Sequence, residues 1–289
     1  MKVHHLNCGT MLPRGGRLLD GQPGLFRRSP IVCHCLLIET GDGLVLVDTG
    51  FGTQGVARPA EWLGRMFLAM TSPRTVAEET AVAQIKALGL DPADVRHIVV
   101  THLDVDHAGG LADFPNAVVH LRAKEHDMAT SPSNLAEKNR YRAVQFSHRP
   151  LWSSYDEAGD EWFGFQAVRS LKGLPPEILL VPLSGHTHGH TGVAVRAGDG
   201  WLLHAGDSYL FHGQLDPAGP HCPRVSSAYQ SLLQMDRHTR LENLARLQEL
   251  ARNHQDEIKV FSAHSPVELQ ALRRDRVAFS GSHEHKKGQ

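Results

Sequence analysis

"THLDVDHAGG", residues 101–110, sets His102, Asp104, Asp106 and His107 within six positions and closes on Gly109 and Gly110. The preceding "RHIVV" (96–100) reads as a buried strand, so this group of imidazoles and carboxylates stands where a strand ends. In extended backbone, positions i and i+2 point the same way, which lets His102 and Asp104 face one ion. Asp106 and His107 lie where the chain turns and can face a second. Imidazole with carboxylate suits zinc, iron or manganese. A thiolate-only site is not on offer, since the chain has four cysteines, Cys8, Cys33, Cys35 and Cys222.

The same placement recurs further along. Gly185-His186-Thr187 comes after "EILLVPL", Ala205-Gly206-Asp207 after "WLLH", and Ser262-Ala263-His264 after "IKVF". Loops collected at one rim of a sheet can bring such side chains to one point while the strands hold them rigid. With 20 histidines in the chain many must be ordinary, but separate strand-end groups of ligand type point to a metal site. Between them, short β-rich runs alternate with amphipathic stretches. Residues 35–48 and 192–207 read as hairpins around Gly-Asp-Gly, and residues 75–90 as a helix with a glycine stop. "RLENLARLQELARNH" (240–254) reads as a helix with Leu241, Leu244 and Leu247 inward. The pattern is that of a layered α/β protein.

The 289 residues are read as one domain, 1–289, whose C-terminal segment, 267–289, ends in a flexible, solvated "SHEHKKGQ". Thirty Lys and Arg against 31 Asp and Glu leave no basic field, which argues against nucleic acid. The opening "MKVHHLNCGT" has no charged n-region followed by an apolar one, and no run is long enough for a membrane helix. A cytoplasmic protein with buried, reduced thiols is expected, with His4 and His5 as strand residues.

"LVLVDTG" (44–50), "THLDVDHAGG", "SGHTHGH" (184–190), "HAGD" (204–207) and "FSAH" (261–264) resemble, in order and approximate spacing, the metallo-β-lactamase superfamily, whose motif HxHxDH is followed by later Gly-His, Asp and His ligands. The likeness covers residues 31–266. It implies an α/β fold, a four-layer αββα sandwich, with a dinuclear site at one edge of the paired sheets. By that likeness His102, Asp104 and His186 would hold the first ion, Asp106, His107 and His264 the second, and Asp207 would bridge them. His188 and His190 would support the shell, and Asp48 would orient the ligand loop. "ALGLDPADVRHIVVTHLDVDHAGG" (87–110) is closest in look to the N-acyl homoserine lactonases. The implied activity is hydrolysis, in which a metal-bound hydroxide opens a lactone or cleaves an ester of a small, partly apolar substrate. Asp106 would shuttle a proton, and Tyr209 is the candidate donor to the oxyanion. The alternative is a non-haem iron oxidoreductase on the same fold, against which stands the absence of a flavodoxin-like segment after residue 266.

Asp104 departs from the superfamily, standing where a histidine is usual. Two divalent ions, zinc first, are expected; three carboxylates against them make a weaker Lewis acid than two would, which keeps iron or manganese open because of Asp104. Seven of the 18 aromatics, Tyr141, Phe146, Trp152, Tyr155, Trp162, Phe163 and Phe165, fall between 141 and 165. They form a substrate wall or a core. "EWLGRMFLAM" (61–70) presents Trp62, Leu63, Met66, Phe67 and Met70 at helical spacing, as core, substrate cover or homodimer interface.

Overall fold

Alternation along the strands decides the layering. In the computed structural model, which describes residues 1–156 and 159–274, Leu36 and Ile38 pack between two sheets while Leu37 packs on the outer side. Likewise Ile178 and Leu180 face inward while Leu179 and Val181 face outward. Strands buried on both faces need a layer on each side, and helices supply the outer ones.

The first sheet holds β1 (Lys2–Met11), β2 (Ile31–Thr40), β3 (Gly43–Val47), β4 (Pro73–Arg74), β5 (Val95–Val99), β6 (Val118–Arg122) and β7 (Leu151–Tyr155), in the order β4-β1-β2-β3-β5-β6-β7. The second holds β8 (Asp160–Trp162), β9 (Phe165–Ser170), β10 (Ile178–Pro182), β11 (Thr191–Ala197), β12 (Gly200–His204) and β13 (Ile258–Phe261), in the order β13-β12-β11-β10-β9-β8. Outside the first sheet lie the helices Ala81–Ala87 and Ala123–Thr130; outside the second lies Arg237–Asn253. This is the expected αββα sandwich.

Both β10 and β12 run antiparallel to β11, and β12 is parallel to β13, so β10, β12 and β13 end at one rim. The loop after β5 is tied to that rim by the Thr191 amide, which donates to the Thr101 carbonyl at 2.9 Å. Four strand ends therefore deliver residues 102–107, 186, 207 and 264 to one place.

Both expected hairpins form, pairing β2 with β3 and β11 with β12. Several local expectations are corrected. Residues 61–70 are not one helix: Gly64, at φ +93, breaks them into Pro59–Trp62 and Arg65–Thr71, a backbone conformation that side chains with a Cβ rarely tolerate. Leu241 is exposed, because it lies roughly 100° around the helix from Arg240, outside the face that Leu244, Leu247 and Leu250 bury. Residues 75–90 split into a short 3-10 turn and a helix capped by Thr80, whose hydroxyl accepts from the Ala83 amide. The aromatics of 141–165 belong to packing: Tyr141, Tyr155 and Phe165 are buried in the cores, and Phe146, Trp152, Trp162 and Phe163 lean on them.

Of the C-terminal segment, Pro266–Arg274 is a helix with Leu269 and Leu272 buried, and the "SHEHKKGQ" stretch lies outside the described residues. Cys8, Cys33 and Cys35 are buried free thiols, as expected, while Cys222 is half-buried. His4 and His5 lie on β1. Among the described residues no helix is long and apolar enough to cross a membrane.

Candidate metal centre

The rim gathers two triads, each with ligand atoms within 4.8 Å of one another: His102, His186 and Asp207, and Asp106, His107 and His264. Asp207 stands between them. One of its oxygens, Oδ1, lies 3.1 Å from both His107 Nε2 and His264 Nε2, and the other, Oδ2, lies 3.5 Å from His186 Nε2. Asp106 Oδ2 is 3.6 Å from His264 Nε2. Asp104 lies outside both triads but beside the first, its Oδ2 3.0 Å from His186 Nε2 and 3.3 Å from His102 Nε2.

The imidazoles are aimed by what holds their other nitrogens. His107 Nδ1 is 2.7 Å from Asp48 Oδ2, and Asp48 also accepts from the Thr101 amide and hydroxyl at 2.7 and 2.8 Å. His264 Nδ1 donates to the Val32 carbonyl at 2.8 Å, which leaves Nε2 as a lone pair facing the site. His190 Nδ1 donates to the Leu183 carbonyl, and its Nε2 accepts from the Asp207 amide at 2.9 Å. His190 thus anchors the Asp207 backbone; His188 touches the loop through its carbonyl, which accepts from Ser184. Gly109 and Gly110 are demanded by close approach and not by a positive φ: a Cβ on Gly109 would stand 2.6 Å from the Val105 carbonyl oxygen.

Buried His102 Nε2 and Asp207 Oδ1 have no hydrogen-bond partner, although both point into the cluster. Atoms of that kind are costly unless something of positive charge meets them. The electrostatics of the cluster agree. Burial lowers His102 to about 4, helped by the neighbouring His107, so it presents a neutral donor. Burial works against a charge on His107, yet Asp207, Asp48 and Asp106 hold its pKa well above the ordinary value. Asp106 is raised by burial, with Asp207 and Asp104 adding to it against His107 and His264. A carboxylate field strong enough to protonate a buried imidazole is one that a divalent cation would neutralise, and the donor set, histidine with aspartate, fits zinc, iron or manganese.

Two residues that escaped the sequence reading shape the cluster. Glu125, fully buried in the first turn of Ala123–Thr130, accepts from the Leu103 amide at 2.9 Å and the Thr187 hydroxyl at 2.6 Å, joining the His102 loop to the His186 loop. Arg140 grips Asp104 through both carboxylate oxygens. Neither lies near a motif in sequence; a lone Glu in a helical stretch carries no signal of its own.

Tyr209 is a correction. It is fully buried among Leu244, Leu247 and their neighbours, and its hydroxyl donates to Glu268 Oε1 at 2.8 Å, away from the cluster. The loop turns at Ser208, so two positions beyond Asp207 the side chain falls into the outer core of the second sheet. The tyrosine that does line the cavity is Tyr229, on the helix Arg224–Leu233.

Glu268 gives a prediction of its own. Burial raises its pKa from 4.5 to about 7, against the hydrogen bonds from the Ser262 amide and Tyr209. A raised folded value means the folded state holds the proton more tightly. The associated stability is complete below about pH 4.5 and is lost as pH rises through about 7, on the order of 3 kcal/mol in all. Denaturant unfolding from pH 5 to 8 should show this decline, and Glu268→Gln should flatten it. An unchanged slope in the variant would refute the assignment.

The cavity above the triads has a volume of about 700 Å3 and is bounded by Asp104, Asp106, His186, Asp207 and His264 on one side. Leu63, Met66, Phe67, Met70, Leu232 and Met235 line the others. Of the two stretches proposed for a substrate wall, residues 61–70 contribute apolar side chains, whereas 141–165 contribute Arg142 and none of their aromatics.

Comparison with known proteins follows the same lines. Residues 28–258 match the family model of the metallo-beta-lactamase superfamily. A "probable metallo-hydrolase" of Mycobacterium tuberculosis is 43% identical over 275 residues, covering 95% of this chain and 83% of that one. An N-acyl homoserine lactonase of Azorhizobium caulinodans is 33% identical over 162 residues, covering 55% of this chain and 58% of its own. Among solved structures, an N-acyl homoserine lactone hydrolase with N-hexanoyl-L-homoserine at its catalytic metal centre superposes with a TM-score of 0.68 at 19% identity, covering 93% of this chain and 95% of that one. The dizinc lactonase AidC does so at 0.58 and 17%, covering 91% and 87%.

Proposed function

Since the chain belongs to the metallo-β-lactamase superfamily and is a metallo-hydrolase of it, we propose that the bond it cleaves is a lactone or ester of a small, partly apolar substrate. The observation that carries this reading is the cavity itself: two histidine–carboxylate triads on one wall face a hollow of about 700 Å3 lined by Leu, Met and Phe side chains. A carbonyl set at the triads would leave an acyl chain against the apolar walls. The lactonase relative supports the choice of bond.

Divalent ions held by the triads would lower the pKa of a water and polarise the carbonyl oxygen. The remaining steps belong to this chain. Asp106, raised by burial and on the cavity wall, takes the proton that the attacking water loses and passes it to the leaving oxygen. Tyr229 stays protonated, because burial raises its phenol and Asp106, Asp207 and Asp104 add to the rise, so it serves as a donor to the developing oxyanion. Asp48 and His190 keep His107 and Asp207 in place throughout. Tyr229→Phe should lower kcat roughly 100-fold with little change in KM. An unaltered kcat would remove Tyr229 from the reaction.

The reading is tested by metal analysis of protein purified without added metal, paired with hydrolysis of N-hexanoyl homoserine lactone and of nitrophenyl acyl esters. The expected result is two divalent ions per chain and turnover that stops when a chelator strips them. A single iron with no ester or lactone turnover would overturn it in favour of the iron oxidoreductase reading.

A further inference from the structure

Asp104 is gripped as a fork. Arg140 Nε donates to its Oδ1 and Nη2 to its Oδ2, each at 2.6 Å, while Nη1 donates to the Leu233 carbonyl at 2.7 Å. The guanidinium is therefore fixed from two sides, by the carboxylate and by backbone of another helix, at the end of Leu135–Arg140. Both side chains are mostly buried, at 16% and 17% exposure, which removes the water that would otherwise screen the pair.

The grip does not turn Asp104 away from the cluster. Its Oδ2 remains 3.0 Å from His186 Nε2 and 3.3 Å from His102 Nε2. Donor atoms about 2.0–2.2 Å from one zinc ion stand roughly 3–3.5 Å apart, so these spacings are those of three ligands sharing an ion. A carboxylate oxygen has a second lone pair, and Oδ2 can accept from Nη2 and still donate to a cation.

We propose that Asp104 and Arg140 work together as one ligand of zero net charge, the guanidinium cancelling the carboxylate so that the first ion meets the electrostatics of the superfamily's usual histidine. Arg140 is then the positioning residue for the site, and the inference rests on reading His102, His186 and Asp207 as metal ligands. The charge balance argues for it. A third carboxylate would make the ions a weaker Lewis acid, but Arg140 returns one positive charge within 2.6 Å of it. Nη2 also lies 2.6 Å from His186 Nε2, a contact that an ion would displace because that nitrogen has a single lone pair, whereas the Asp104 oxygens can keep theirs. The pair also makes the reverse substitution costly. A histidine at 104 would leave Arg140 buried beside a cation with its partner gone.

A double-mutant cycle read by zinc affinity, measured through competition with a chromophoric chelator, tests the inference without reference to any substrate. Asp104→His alone is expected to weaken zinc about 10- to 100-fold. Asp104→His combined with Arg140→Gln is expected to bind within a few-fold of wild type, because the neutral ligand is restored. Arg140→Gln alone should keep its ion, but in the cobalt-substituted protein the pH at which the visible spectrum changes should rise by about one unit. If Asp104→His binds as tightly as wild type, if the double variant is no better than the single one, or if Arg140→Gln leaves the spectral midpoint unmoved, the neutral-ligand proposal falls. Wild type that takes up no zinc would instead overturn the metal-site reading beneath it. Circular dichroism of each variant confirms that folded proteins are being compared.

Discussion

His264→Ala is expected to abolish most turnover, on the order of 10³-fold or more, and to release the second metal equivalent while the protein stays folded. The residue lies 157 positions beyond His107, yet their Nε2 atoms are 3.3 Å apart. Its Nε2 is also 3.1 Å from Asp207, and its Nδ1–H is spent on the Val32 carbonyl, so the ring has one orientation and one free lone pair. Without it the second triad is reduced to Asp106 and His107, with only the Asp207 carboxylate, which also faces the first triad, beside them, and its hold on an ion is weakened. Asp207 loses a neighbour on its bridging side as well. Metal content and turnover should fall together, with only a small change in the unfolding midpoint, because His264 packs at the site and not in a core cluster. Two ions retained at full rate would mean that the triads are not the metal site.

Glu125→Ala should act differently, through the scaffold. The carboxylate links the amide of Leu103, next to His102, to the hydroxyl of Thr187, next to His186. Removing it strands both donors where no water replaces it, at about 1–3 kcal/mol each, and leaves a hole under the first turn of the helix. A stability loss of about 3 kcal/mol or more is expected, and with it a roughly 10- to 100-fold weaker hold on the first ion, since two of its ligands come from the loops that Glu125 joins. Glu125→Gln separates the two effects. The amide oxygen can still accept one of the hydrogen bonds, so stability should recover in part. Chemical denaturation and zinc competition measure both quantities. Wild-type metal affinity in a folded Glu125→Ala protein would show that the loops are held without it.

How much of this could be read from the chain depends on distance along it. The triad members His102, Asp106, His107, His186, Asp207 and His264 stand at strand ends, and a strand end is a local signal: an apolar run, then ligand-type side chains beside glycine. A layered α/β protein was legible for the same reason, from short β-rich runs alternating with amphipathic stretches, while the αββα arrangement came from the resemblance of the motifs to the superfamily. Tyr209 misled because closeness in sequence to Asp207 says nothing about direction once the loop has turned; Tyr229, twenty positions later on a helix, faces the cavity. Residues 61–70 kept their apolar side chains on the cavity although Gly64 broke the helix that was to carry them.

Sequence by itself determined the fold class, the ligand types and the order in which they reach the rim, since periodicity and residue chemistry are properties of short segments. It also exposed Asp104 as the departure, but read it as an uncompensated charge. Only the tertiary structure decided what that charge meets. Arg140 lies 36 positions away on a separate helix and Glu125 22 positions from the Leu103 amide it accepts from. Pairing of buried charges and donors is settled by which surfaces the packed layers press together, and no spacing along the chain encodes that contact.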